Sequence, residues 1–115
     1  MKLYLAGPMR GIPEFNFPAF ARYAAQLRSQ GHEVFSPAER NIAKVGDISK
    51  GNLTGDNAVA EQEHGFNLRE ALKDDMMYIC LEADGIAIMP GWENSKGARA
   101  ERATAEALGL KVVVL

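Results

Sequence analysis

Residues 84–115, DGIAIMPGWENSKGARAERATAEALGLKVVVL, hold two short apolar runs separated by a glycine-containing turn and a helical pattern. The runs DGIAIMP and KVVVL are interpreted as strands, and the stretch from Lys96 to Leu108 repeats at helical spacing. Strands that alternate with helices are typical of a parallel sheet covered by helices. This stretch therefore predicts a β-α-β unit at the end of the chain.

The rest of the chain continues the same alternation. The opening KLYLAG is interpreted as a buried strand that runs into the turn GPMRGIPEFN, and HEVFSP as a second short strand. Helices are predicted from about Phe17 to Gln30 and from Phe66 to Glu82. The predicted fold is α/β, flavodoxin- or Rossmann-like, with a parallel sheet of four or five strands and helices on both faces.

Ligands of such folds bind outside the carboxyl ends of the strands. Those ends carry the segments GPMRG, SPAER and PGWENSKG. A chain of 115 residues is expected to form a single domain, residues 1–115. A long polar and glycine-rich loop is predicted at about 38–65, and it is expected to act as a lid because it leaves directly from the end of a strand.

Composition excludes several function classes. A net charge of −2 and a pI near 5.7 give no basic surface for duplex nucleic acid. No apolar run approaches the roughly 20 residues that a membrane span needs, and no signal peptide is recognised, so a cytoplasmic protein without membrane contact is expected. Cys80, His32 and His64 lack the spacing of a zinc site. Neither metal nor cofactor is predicted.

Glu101 is a charged residue that projects onto the apolar face of its predicted helix. Projection of the helix at about 100° per residue gathers Arg99, Arg102 and Glu106 on one face, which is the expected solvent face. Glu101 falls on the opposite side, in an arc shared with Ala98, Thr104, Ala105 and Leu108. A carboxylate turned away from water costs several kcal/mol unless it is paired, so Glu101 is a candidate functional residue.

A second acid shows the same conflict. In the helix from Phe66 to Glu82, Asp75 projects into the middle of an apolar arc, whereas its neighbour Asp74 projects about 100° away. The arc consists of Leu68, Ala71, Leu72, Met76, Tyr78 and Ile79. Two acids displaced from solvent suit general acid-base or nucleophilic work at a glycosidic centre. A pair of buried structural acids is the alternative.

These segments resemble the nucleoside 2-deoxyribosyltransferase superfamily, and especially its small phage and bacterial branch called DUF4406. The resemblance covers nearly the whole chain outside about Asn41 to His64. It is carried by YLAGPMRG, NLREALKDD, ADGIAIMPGWENSKGA and AERATAEALG. A glutamate eight residues before the glycine that precedes the final strand recurs in these enzymes, and Glu101 holds that position here.

The resemblance implies roles for further residues. In the deoxynucleoside 5'-monophosphate N-glycosidase branch, a serine and a glycine six and four residues before the glutamate contact the phosphate, and Ser95 and Gly97 correspond to them. Tyr4 corresponds to the first-strand tyrosine, and Asp75, with Asp74 as the alternative, to the second acid. The remaining expected substrate contacts are the turn residues Gly7, Pro8, Met9, Arg10 and Gly11, together with Trp92, which is expected to stack on a base or cover the pocket.

The resemblance implies cleavage or transfer of the N-glycosidic bond of 2'-deoxynucleosides or their 5'-monophosphates, with Glu101 as nucleophile and Asp75 and Tyr4 beside it. The expected partner is a small nucleoside or nucleotide, and the expected assembly is a homodimer or higher homo-oligomer in a bacterial or phage-infected cell. Two alternatives stay open. One is a phosphoribohydrolase-type enzyme that acts on ribonucleotides, and the other is a nucleotide-binding module without turnover.

Overall fold

A computed structural model describes residues 1–40 and 67–115 of the chain. Within these ranges four strands alternate with three long helices and two short 3₁₀ turns. In chain order they are β1 (Lys2–Ala6), a 3₁₀ turn (Pro13–Asn16), α1 (Phe17–Ser29), β2 (Glu33–Phe35), α2 (Leu68–Leu81), β3 (Gly85–Ile88), a 3₁₀ turn (Trp92–Asn94), α3 (Lys96–Ala107) and β4 (Lys111–Val114). The predicted order of strands and helices is confirmed.

The four strands form one parallel sheet in the order β2-β1-β3-β4. In the central pair, Leu3 of β1 lies opposite Gly85 of β3, and Ala6 lies opposite Ile88. The predicted α/β fold with a Rossmann-like parallel sheet is therefore confirmed, with four strands in the described part of the chain. Residues 37–40 are helical, so the irregular stretch does not begin at residue 38. The lid predicted between Asn41 and His64 lies outside the described residues.

Side-chain alternation along the strands divides the core into two layers. On one face of the sheet, Leu3 and Leu5 of β1 pack with Phe20 and Leu27 of α1. On the opposite face, α2 and α3 cover the alternate strand positions, among them Tyr4, Ile86 and Ile88. Because side chains of a strand point alternately to its two faces, a fully buried strand such as β1 supplies both layers. Helices thus cover both faces, as predicted.

The strand order reverses between β1 and β3, which is where ligands of open parallel sheets bind. The chain leaves both strands there in turns that lie against each other. The Met89 amide donates to the Ala6 carbonyl at 2.8 Å, directly after the paired strands. Gly7 follows Ala6, and a Cβ at Gly7 would come within 2.9 Å of Met89 Cβ and 2.7 Å of Met89 Sδ. The missing side chain at Gly7 therefore lets the two turns approach.

Replacing Gly7 with alanine is expected to destabilise the fold, because the new methyl group would displace the buried Met89. Overpacking of this kind costs about 1–3 kcal/mol. The matched control is Gly97→Ala, where the nearest atom to an added Cβ is Ser95 Oγ at 3.9 Å and the helix gains a better helix former. Urea unfolding of both variants measures the difference. Equal free energies of unfolding would contradict the close approach.

Candidate active site

Three buried polar residues converge on the face of the sheet that α2 and α3 cover. Tyr4 in β1 is fully buried, Glu101 in α3 is 6% exposed, and Asp75 in α2 is 8% exposed. The helix projections therefore placed both carboxyl groups correctly on buried faces. They were wrong for three apolar neighbours of these acids, because Leu68, Leu72 and Leu108 are 45%, 37% and 49% exposed.

The centre of the site is a hydrogen bond between Tyr4 and Glu101. The Tyr4 hydroxyl donates to Glu101 Oε2 at 2.6 Å, and both atoms are buried. This length is typical of a hydroxyl bound to a carboxylate. The bond joins the middle of β1 to the second turn of α3, 97 positions apart in the chain. Two rigid elements, and not loops, therefore fix the orientation of the Glu101 carboxyl group.

Asp75 is the third member of the group. Its charge acts on both Tyr4 and Glu101, so its carboxyl group lies close to both side chains. Burial raises the pKa of Asp75 from its ordinary value of 3.8 to about 7. Burial, followed by the charge of Asp75, raises the pKa of Glu101 from 4.5 to about 8. Because two adjacent carboxylates repel each other, the pair retains about one proton near neutral pH.

Burial also raises the pKa of the Tyr4 hydroxyl well above its usual value, and the charges of Glu101 and Asp75 act in the same direction. Tyr4 is therefore protonated whenever the carboxyl groups are ionised, so its hydroxyl serves as a donor throughout. A donor at this distance stabilises the carboxylate form of Glu101 against the cost of burial.

The structure separates the two candidate aspartates. Asp75 shares the buried group, whereas the Asp74 carboxylate is 13% exposed and lies 3.8 Å from Nε of Arg40. Arg40 follows β2 in the helical residues 37–40, and its positive charge acts on Asp75 as well. The sequence analysis placed Arg40 in the segment SPAER at the carboxyl end of a predicted strand but assigned it no role, because the contact with Asp74 joins distant parts of the chain.

Aromatic rings line the inner side of this group. The Phe35 ring of β2 stacks on the Tyr4 ring at 5.7 Å and on the Tyr78 ring at 4.5 Å between centroids. These rings extend the apolar layer around the Tyr4 side chain, and burial is the largest cause of the raised pKa values of both acids. The sequence marked Tyr78 as part of the apolar arc but gave no sign of the stack with Phe35.

The turn after β1 lies at the carboxyl edge of the sheet, as predicted. Gly7 is buried, Pro8 and Met9 are half-buried, and Arg10 and Gly11 are exposed. Met9 packs against the core layer beneath α1. The turn therefore brings its backbone to the sheet edge, while the Arg10 side chain reaches into solvent.

The turn after β3 holds Trp92 in a defined position. Trp92 packs against the core layer that contains Tyr4, and the Arg102 guanidinium lies 4.3 Å from the Trp92 ring centroid. Arg102 also forms an ion pair with Glu106 at 2.7 Å. The assignment of Arg102 to the solvent face was wrong in part, because the side chain is half-buried over the tryptophan. Such a cation–π contact fixes the ring plane.

Ser95 and Gly97 lie at the beginning of α3. Ser95 is the N-cap residue, and its hydroxyl accepts a hydrogen bond from the Ala98 amide at 3.1 Å. Gly97 is half-buried within the first turn of the helix. Ser95 thus caps the helix, and the free amides of the first turn remain directed out of the helix end.

In residues 1–40 and 67–115, no three His, Cys, Asp or Glu side chains are grouped so that they could hold a metal ion. None of the described helices is long and apolar enough to cross a membrane.

The fold and the buried group define an α/β protein with a parallel sheet and a pair of buried carboxyl groups beneath the two helices on one of its faces. Comparison with protein families gives a match over residues 1–114 to the family described as a domain of unknown function, DUF4406. The chain therefore belongs to the DUF4406 family. Neither the curated proteins nor the solved structures gave a match.

The raised pKa values predict how stability varies with pH. The folded protein holds protons on Glu101 and Asp75 at pH values where the unfolded chain has released them. The free energy of unfolding therefore falls as pH rises from about 4 to about 8. In the Glu101→Gln variant one of these charges is removed, and the amide oxygen can still accept the hydrogen bond from Tyr4. We expect this variant to be more stable than the parent by about 1–3 kcal/mol at pH 8, where the parent carboxyl group ionises. At pH 5 we expect little difference between the two proteins.

Urea unfolding at several pH values between 5 and 8 checks this expectation. Glu106→Gln on the same helix is the matched control, because it removes an exposed carboxylate and one surface ion pair worth about 0.3–0.5 kcal/mol. The control is expected to follow the pH dependence of the parent. A Glu101→Gln variant that is less stable than the parent at pH 8 would show that the ionised carboxylate stabilises the fold.

Proposed function

We propose that this protein cleaves or transfers the N-glycosidic bond of 2'-deoxynucleosides or their 5'-monophosphates, with Glu101 as nucleophile. The observation that supports the proposal most strongly is the buried 2.6 Å hydrogen bond from Tyr4 to Glu101, formed beside a second buried acid, Asp75. The resemblance of the surrounding segments to nucleoside 2-deoxyribosyltransferases supplies the substrate class. The proposed location is the cytoplasm.

In the proposed reaction the proton of the carboxyl pair first passes from Glu101, which has the higher pKa, to Asp75, and this transfer leaves Glu101 ionised. The bond between C1' and the base nitrogen breaks, its electron pair goes to the base, and Asp75 delivers the proton to the base. A Glu101 oxygen then bonds to C1', whose positive charge develops as the base leaves. Tyr4 holds the other end of the carboxylate and fixes its direction of attack.

The second half of the reaction regenerates the site. Water, or the nitrogen of a second base, attacks C1' and displaces the Glu101 carboxylate, while Asp75 takes the proton of the attacking group. Water gives hydrolysis and a base gives transfer. The raised pKa of Asp75, about 7, suits a group that donates and accepts a proton near neutral pH.

Binding of the substrate is assigned to the two turns at the carboxyl edge of the sheet. The amides at the start of α3, next to Ser95 and Gly97, suit a 5'-phosphate because unpaired N–H groups and the helix dipole converge there. Arg10 is exposed in the neighbouring turn and is available to the same anion. The Trp92 ring, held by Arg102, offers a face for the base.

The proposed assembly is a homodimer or higher homo-oligomer. Apolar side chains on α2 reach solvent in the single chain, among them Leu68, Leu72 and Met77, of which Met77 is 50% exposed. Leu68 and Leu72 precede Asp75 on the same helix, so a partner that covered them would also shield the carboxyl site. Sedimentation equilibrium at tens of micromolar protein tests this, and a monomer at that concentration would contradict it.

Glu101→Gln is expected to abolish release of free base, because the amide keeps the shape of the side chain but cannot form the glycosyl ester. Loss of a nucleophile costs roughly a thousandfold or more in rate. Glu106→Gln, an exposed substitution one turn further along α3, should retain parental activity. The measurement is chromatographic detection of base released from a panel of deoxyribo- and ribonucleosides and their monophosphates.

Three outcomes of that panel separate the candidates. Release from deoxy substrates that depends on Glu101 supports the proposal. Preference for ribonucleotides would favour a phosphoribohydrolase. Binding of nucleotides without release of base by the parent protein would favour a binding module. Release that survives Glu101→Gln would refute the assignment of the nucleophile.

Ser95→Ala tests the phosphate site. If the start of α3 holds a 5'-phosphate, the parent should use monophosphates about a hundredfold better than nucleosides, since several charge-assisted hydrogen bonds would be lost with the phosphate. Loss of the hydroxyl should lower the efficiency on monophosphates and leave nucleosides nearly unaffected. Because Ser95 also caps the helix, the variant should melt earlier, by the equivalent of about 1 kcal/mol. Equal efficiency of the parent on both substrate types would exclude this phosphate site.

A further inference from the structure

The segment between the first turn and α1 has an unusual backbone. Glu14, Phe15 and Asn16 have φ values of 57°, 51° and 60°, so three consecutive residues other than glycine lie in the left-handed region. Residues with a Cβ rarely adopt this backbone conformation even singly, and a run of three such residues is strained. Strain of this kind persists only where the surrounding contacts enforce it, and it concentrates at functional sites.

Two contacts hold the segment in place. Phe15 is 2% exposed and is anchored in the core layer beneath α1. Asn16 extends its side chain back over the preceding turn, and its Nδ2 donates to the Pro8 carbonyl at 3.0 Å. Asparagine is one of the few residues that tolerate left-handed φ values, so position 16 combines the required backbone with a donor of suitable length.

Pro8, which accepts the Asn16 hydrogen bond, also contacts the turn after β3. A Cβ at Gly91 would lie 3.3 Å from Pro8 Cγ, so the proline ring rests against the Gly91 backbone. Gly91 has a φ of +86° and is the N-cap of the 3₁₀ turn that begins with Trp92. The side chain of Asn16, the ring of Pro8 and the Gly91 backbone thus form a continuous path between the strained segment and the tryptophan.

We propose that Asn16 is a positioning residue, which holds Pro8 so that the turns after β1 and β3 keep the spacing that the substrate needs. The inference rests on the proposed function for its kinetic consequence, whereas its structural part stands independently. The strain in residues 14–16 serves to direct the Asn16 amide at the Pro8 carbonyl, because a regular helical start at these residues would turn that side chain elsewhere.

The chain has one tryptophan, Trp92, so intrinsic fluorescence reports directly on the turn after β3. Asn16→Asp keeps a side chain that tolerates left-handed φ but replaces the donor by an acceptor, and Asn16→Gly removes the side chain altogether. The matched control is Glu14→Gly, which relieves the strain at an exposed residue of the same segment and leaves the Asn16 amide intact. All three variants permit the observed backbone.

Quenching of Trp92 by acrylamide, a neutral probe, is expected to increase by about twofold in both Asn16 variants and to be unchanged in Glu14→Gly, because only the former release the turn. With a substrate turned over by the parent, both Asn16 variants should lose about tenfold in kcat/KM, the rate equivalent of one hydrogen bond, while Glu14→Gly stays at the parental value. Melting curves confirm that each variant is folded.

Parental quenching in both Asn16 variants, or the same increase in Glu14→Gly, would overturn the proposal. Increased quenching with unchanged kcat/KM would overturn the positioning role and leave only a structural tether. Failure of the parent to release base from any substrate would count against the proposed function alone, because the fluorescence comparison does not depend on turnover.

Discussion

The hydrogen bond between Tyr4 and Glu101 is the constraint around which the sheet face covered by α2 and α3 is organised. A tyrosine in a central strand and a glutamate on a covering helix must meet at 2.6 Å inside an apolar layer, so β1 and α3 are fixed relative to each other. The bond satisfies one oxygen of a carboxyl group that burial would otherwise leave unpaired. Asp75 shares the same space, and the pair consequently holds a proton near neutral pH, which ordinary surface acids do not.

The fold could be predicted from the sequence because its signals are local. Short strands of three to five residues, helical spacing between them and glycine-bearing turns indicated the order of elements. The predicted helix ends lie within about two residues of the observed ones. The buried positions of Glu101 and Asp75 also followed from helical periodicity. Periodicity was less informative for Leu68 and Leu108, because it shows which side of a helix is apolar but not how far neighbouring elements cover that side.

Contacts between distant segments could not be predicted in the same way. The ion pair of Arg40 with Asp74, the Arg102 contact with Trp92 and the Asn16 hydrogen bond to Pro8 join side chains whose local sequence is ordinary. The left-handed backbone conformation of residues 14–16 could not be predicted from the sequence for a further reason. Its residues lie between Pro13 and Pro18, a pattern that indicates a turn followed by a helix start but does not indicate the sign of φ.

The direction of the pKa shifts of the two carboxyl groups indicates whether they stabilise the fold or serve a reaction. A structural acid contributes stability in its ionised form, with a cation or several donors around it and a lowered pKa. Glu101 and Asp75 have the opposite property, since burial disfavours the ionised forms of both and the charge of Asp75 further raises the pKa of Glu101. An apolar pair of similar size would relieve that cost. Local departures from the rules of stable packing concentrate at functional sites, and this protein has two of them, a strained backbone segment before α1 and a destabilising acid pair beneath α2 and α3. The destabilising character of the pair favours chemistry over a purely structural role for the acids.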